Sequence, residues 1–151
     1  MKKNITLLSL ILFCVSAYAQ QSETELIRNA FKSEKKSIVA EFLTLTKDDA
    51  AKFWPVYEEY EKERSEFALR RIRLIESYVD HYEKMDDEST NKLVEESASI
   101  QKNEVVLREK YYGLLKKGIS TSVAARFYQI EDVINVVVRM GLYEELPLLK
   151  K

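Results

Sequence analysis

Glycine supplies only three of the 151 residues and proline two, so the chain has little with which to build the turns of a β-sandwich, a barrel or a glycine-rich phosphate loop. Cysteine is scarcer still: a single Cys14 cannot close an intrachain disulfide, and stability has to come from packing. An excess of one charge is also missing. With 24 basic against 25 acidic residues there is no overall field to attract a polyanion, which argues against a nucleic-acid partner. What is abundant is charge of both signs, 32% of residues, beside 46% hydrophobic residues. That mixture belongs to long amphipathic helices, and the length suits one domain.

The N-terminus reads as an export signal. Lys2 and Lys3 precede an apolar run over 7–15, and Ala17-Tyr18-Ala19 has the small-x-small form of a signal-peptidase site. Residues 1–19 are therefore expected to be removed and the mature chain to be periplasmic. The run is well short of the ~20 residues that span a bilayer. Cys14 leaves with the signal, and the bulky Leu12 and Phe13 before it do not suit lipid attachment.

Four helical segments are predicted. An N-terminal helix within 20–44 carries a thin stripe of Ile27, Phe31, Ile38 and Phe42, and part of it can remain disordered. The domain proper, 45–148, opens with Thr46 as N-cap and Asp48 and Asp49 in the first turn of a helix over 47–84. At 1.5 Å per residue that rod is about 57 Å long. A turn at Met85-Asp86-Asp87 leads to a helix over 88–117, and Gly118 separates it from a last helix over 121–142 capped by Ser120 or Thr121. The expected fold is all-α: a long antiparallel helical hairpin with additional N- and C-terminal helices.

On the first long helix Phe53, Val56, Tyr57, Tyr60, Phe67, Leu74, Ile75, Tyr78 and Tyr82 share one face, with Arg64 and Arg71 in its middle. The second carries Leu93, Ile100, Leu107, Tyr111, Leu114 and Leu115, with Glu104 at the centre. In an antiparallel hairpin about Asp86, Glu104 falls level with Ala68, between the two arginines. It either pairs with Arg64 or Arg71, or all three charged heads snorkel to the edge. Pro55 removes a backbone hydrogen bond inside the first helix. It should bend that helix near 53–57, unless it marks the true start of the long helix after a separate short one.

The two helix starts echo each other at a constant offset. Leu45-Thr46-Lys47-Asp48-Asp49-Ala50-Ala51-Lys52-Phe53-Trp54 recurs as Ile119-Ser120-Thr121-Ser122-Val123-Ala124-Ala125-Arg126-Phe127-Tyr128. Each copy has an apolar residue, a hydroxyl cap, paired small residues, a base and two aromatics, so both helices should begin alike and dock on equivalent surfaces.

On these two cap motifs, together with Phe53-Trp54-Pro55-Val56-Tyr57-Glu58-Glu59-Tyr60 and Ala124-Ala125-Arg126-Phe127-Tyr128-Gln129-Ile130-Glu131, the chain resembles the LTXXQ family of exported helical proteins. The likeness is to its Spy/CpxP-like, Bacteroidetes-type branch, often labelled as sensors of sigma-factor pathways. Asp49 and Val123 stand where the motif has Gln. The resemblance implies an exported helical hairpin, often a cradle-shaped dimer, that binds unfolded envelope proteins without ATP or restrains a membrane-bound stress sensor.

Catalytic chemistry is not indicated. The mature chain has no cysteine nucleophile and no glycine-rich loop, and its one histidine, His81, has no second histidine or cysteine a helical turn away to share a metal. No cofactor and no small-molecule substrate are implied. Arg70, Arg71 and Arg73 form a basic cluster, but Glu66 lies one turn before Arg70 and can pair with it. The expected role is a non-enzymatic binding protein, chaperone-like or a regulator of a sensor, with a structural adaptor for one dedicated partner as the alternative. On the last helix Phe127, Ile130, Ile134 and Val137 form one stripe, and Val133, Val136 and Met140 lie outside its centre. A homodimer is therefore expected, with Phe53, Trp54, Tyr57, Phe127 and Tyr128 near the shared surface or a client groove, unless the N-terminal helix covers this face within one chain.

Overall fold

A computed structural model of the chain describes residues 32–148. The expected export signal and the start of the first helical segment lie outside the described residues. Every regular element among those described is helical: α1 over 32–43, α2 Lys47–His81 with a 3₁₀ turn Tyr82–Lys84, α3 Asp87–Gly118 and α4 Thr121–Glu145. The fold is all-α. None of these helices is long and apolar enough to cross a membrane. The chain divides into two compact units between Glu41 and Phe42. In the first the described residues are helical, and the second contains α2, α3 and α4.

Short-range chemistry sets the helix starts. The Thr46 hydroxyl accepts from the Asp49 amide at 3.2 Å, the Asp86 carboxylate from Ser89 at 2.8 Å, and the Ser120 hydroxyl from Val123 at 3.2 Å. Each satisfies an N–H that the helix leaves without an intrahelical partner. Ser120, not Thr121, is thus the cap of α4. That helix runs three residues past its expected end at Leu142, and Pro147 follows two residues after it. No described glycine has a positive φ, so α3 ends at Gly118 without the left-handed turn that glycine offers. Thr44, between α1 and α2, does have a positive φ of 45°, an unfavourable conformation for a β-branched residue. Arg126 of α4 braces this corner: its guanidinium donates to the Phe42 carbonyl and to Thr44 Oγ1, and lies over the Phe42 ring.

α2 runs unbroken through Pro55, so the separate short helix does not form. The proline ring is exposed, and one missing hydrogen bond costs less than interrupting a helix docked over many turns.

Within the second unit α2 and α3 form the antiparallel hairpin and α4 returns along α3. The core is confined to one end. Phe53, Tyr57 and Tyr60 of α2 are buried against Tyr111 of α3 and Phe127 of α4, the ring centroids of neighbouring pairs lying 5.0–6.4 Å apart. Aromatic burial of this kind contributes on the order of 2 kcal/mol per ring. Toward the hairpin tip burial stops: α2 has no buried residue after Arg64 and α3 none before Ile100. Leu74, Ile75, Tyr78 and Tyr82, expected in the docked stripe, are only half-buried there. Leu114 and Val137 also leave their expected stripes, being 48% and 61% exposed, while Leu115 and Asn135 are the buried residues on those stretches.

Candidate functional site

A polar cluster sits inside the packed end. Glu131, with no exposed surface, accepts hydrogen bonds from the Tyr57 hydroxyl at 3.1 Å and the Tyr60 hydroxyl at 2.8 Å. No Cα of α2 comes within 8 Å of α4, so it is these long side chains that join the two helices. Burial, followed by the Glu131 charge, pushes both phenols well above the ordinary tyrosine range. The buried Arg64 lies 3.9 Å from both Glu61 and Glu131. Burial works against its charge, but Glu61 and Glu131 outweigh that and raise its pKa. The cluster is closed to substrate, and its groups are aimed at one another, an arrangement that orders a core.

A second pairing crosses the hairpin: Arg71 Nη2 lies 2.7 Å from Glu104 Oε2. Of the two expected partners Arg71 takes Glu104, because Arg64 is drawn to the carboxylates of Glu61 and Glu131. Arg70 does not use Glu66. It reaches across to Glu96 with two bonds of 2.8 and 2.9 Å and to Ser99 at 3.0 Å, and a two-pronged contact outcompetes a single pair along one exposed helix. His81 is exposed, with Nδ1 2.8 Å from the Ser77 carbonyl.

Of the five aromatics expected at a partner surface, three need correction. Phe53, Tyr57 and Phe127 are buried within one chain, and the equivalent positions of the two echoing motifs pack on each other: Phe53 meets Phe127 at 6.3 Å, and Tyr57 bonds Glu131. Trp54 is half-buried edge-on to Phe53 and Tyr57, and Tyr128 is half-buried beneath the Arg108 guanidinium and edge-on to Tyr112. The echo closes the core through Phe53, Tyr57 and Phe127, which are not free to form a client groove, while Trp54 and Tyr128 keep part of their surface exposed.

What is accessible lies elsewhere. α4 presents Val133, Val136, Val137 and Met140, between 38% and 61% exposed, at the i, i+3, i+4, i+7 spacing of one helix face. Beside it, the last turns of α4 and the tail stand off from the hairpin tip and leave a cleft of about 580 Å³. Its walls come from Leu74 of α2, Leu93 and Val94 of α3, and Leu142 and Leu146 of the C-terminal arm. Two tyrosines tether the tail: Tyr78 donates to the Pro147 carbonyl at 2.5 Å and Tyr82 to the Leu148 carbonyl at 2.9 Å. Nothing in the sequence told that 142–148 would fold back on residues some 70 positions earlier.

Fold and surface together define a small all-α protein with a closed polar core and an open apolar flank. Comparison with protein-family profiles, curated proteins and solved structures returned no match, and function has to be read from the residues themselves.

Proposed function

We propose that this chain is an exported, non-enzymatic protein-binding module of the bacterial envelope, of the Spy/CpxP-like LTXXQ type, acting as a chaperone for unfolded envelope proteins or as a regulator of a membrane-bound stress sensor. The observation that carries this reading is the exposed apolar face of α4, four side chains on one stripe. Fully covering a large apolar side chain is worth ~1.5–3 kcal/mol, so four that are already half-covered offer about 4 kcal/mol in all. That is comparable to the lower limit of association costs. Such a surface suits weak, reversible capture of apolar segments. A permanent homodimer through it would need further area from each copy. The Ala17-Tyr18-Ala19 site and the apolar run before it support export to the periplasm.

The test is light scattering from a denatured client protein diluted into buffer with the purified chain. The wild type should suppress aggregation, and Val133→Lys with Val137→Lys should abolish suppression while leaving the circular dichroism unchanged. The confinement of the stripe to one helix favours an adaptor with one dedicated partner as the second reading, and a wild type that leaves unrelated clients to aggregate would select it. Sedimentation equilibrium of wild type and the double variant reports whether a second copy occupies the same face.

A further inference from the structure

The cleft between the hairpin tip and the C-terminal arm has features that capture of unfolded chains does not use. Its volume, about 580 Å³, falls within the ~300–1,000 Å³ of small-molecule sites, and it joins mostly apolar walls to a few polar groups. Two guanidinium groups line it, and they differ. Arg71 is committed to Glu104 at 2.7 Å. Arg139, on α4, has no ion-pair or hydrogen-bond partner among the described residues. An uncommitted guanidinium on the wall of an apolar trough is complementary to a ligand with one anionic end and an aliphatic body, because its planar fork matches a carboxylate or phosphate while Leu74, Leu93, Leu142 and Leu146 take the chain. The tyrosine tethers to the Pro147 and Leu148 carbonyls hold the outer wall in place without a ligand, so little ordering has to accompany binding.

We infer that this cleft is a binding site for a single-chain anionic amphiphile, a fatty acid or an alkyl phosphate, with Arg139 pairing the headgroup. The site is separate from the α4 stripe, so success or failure of the chaperone assay does not decide it.

Calorimetric titration of the full purified chain with dodecanoate, below the concentration at which it forms micelles, provides the test, with dodecyl phosphate and the uncharged dodecyl maltoside in parallel. The expected result is saturable one-to-one binding of both anions, weaker at high salt, and binding of the maltoside at least tenfold weaker. Arg139→Gln should lower dodecanoate affinity roughly tenfold, the loss of one charge-assisted contact at ~1.4 kcal/mol per decade. Val94→Glu, at a position 59% exposed and so safe for the fold, should place a repelling carboxylate in the trough and weaken both anions. Which anion binds more tightly assigns the headgroup. Absence of saturable binding by the wild type overturns the proposal. So does equal affinity for the maltoside, or a pair of variants that bind as the wild type does.

Discussion

Arg71 on α2 and Glu104 on α3 meet at 2.7 Å across the hairpin, with side chains only 14% and 6% exposed. Together they mark where the packed end gives way to the open tip. Truncating Glu104 to Ala leaves a guanidinium short of its carboxylate in a largely dry site, and should cost about 3 kcal/mol. The double-mutant cycle with Arg71→Ala, read by urea denaturation, should return a coupling of at least ~1 kcal/mol. A coupling near zero would mean that both side chains find equivalent partners when separated.

Glu131 should be the more damaging position. Glu131→Ala removes the acceptor of two buried hydroxyls and a carboxylate 3.9 Å from Arg64 Nε at once, with an expected loss of ~3–5 kcal/mol. Tyr60→Phe removes one hydrogen bond and keeps the ring, and should cost on the order of 1–2 kcal/mol. The ordering, measured by thermal or urea unfolding, is the check: a Tyr60→Phe variant less stable than Glu131→Ala would contradict the central place of the carboxylate.

Alkaline unfolding follows from the same cluster. The Tyr57 and Tyr60 phenols titrate higher in the folded chain than in the unfolded one, because burial and then Glu131 oppose the phenolate. A raised folded pKa gives stability that is complete below the unfolded value of about 10 and declines as pH rises beyond it. Absorbance at 295 nm should therefore show a late tyrosinate step that coincides with loss of the far-ultraviolet helix signal. Complete phenol titration while the helices persist is the result that would refute it.

At the acid end the carboxylates have the opposite sign. Glu63 is held below its ordinary range by its hydrogen bonds from Lys110 and Tyr111, Glu96 by Arg70, and Asp86 by the Ser89 amide it caps. Depressed folded values give stability that is present above the unfolded pKa values, about 3.9–4.3, and is lost as pH falls through the folded ones. Melting temperature should be level near neutrality and drop below about pH 4.5. Glu63→Gln with Glu96→Gln should flatten that drop, and an unchanged acid profile in the double variant would assign it to other groups.

Much of this molecule is local and was therefore readable from the chain. Thr46 and Ser120 cap helices because a hydroxyl there reaches an amide three residues on, a contact needing no distant partner. That Glu104 would lie level with Arg64 and Arg71 was accessible for a related reason: a hairpin with a short turn has essentially one register, so numbers alone place opposite residues level, without saying which arginine takes the carboxylate. Tertiary structure decided the choices between near and far partners. Arg70 could have used Glu66 on its own helix, and only the separation of α2 from α3 makes the double contact to Glu96 the better one. Likewise an aromatic pair after a cap does not say whether it faces a second chain or its own; Phe53 and Phe127 point inward because α3 holds the two helix starts at a distance their side chains can bridge. The sequence alone determined the helices, the Thr46 cap and the hairpin register, since each follows from contacts within a turn or across one short loop. Which faces became core, and that a cleft remained beneath the C-terminal arm, was left to the tertiary structure, because burial depends on how far apart packed helices come to rest.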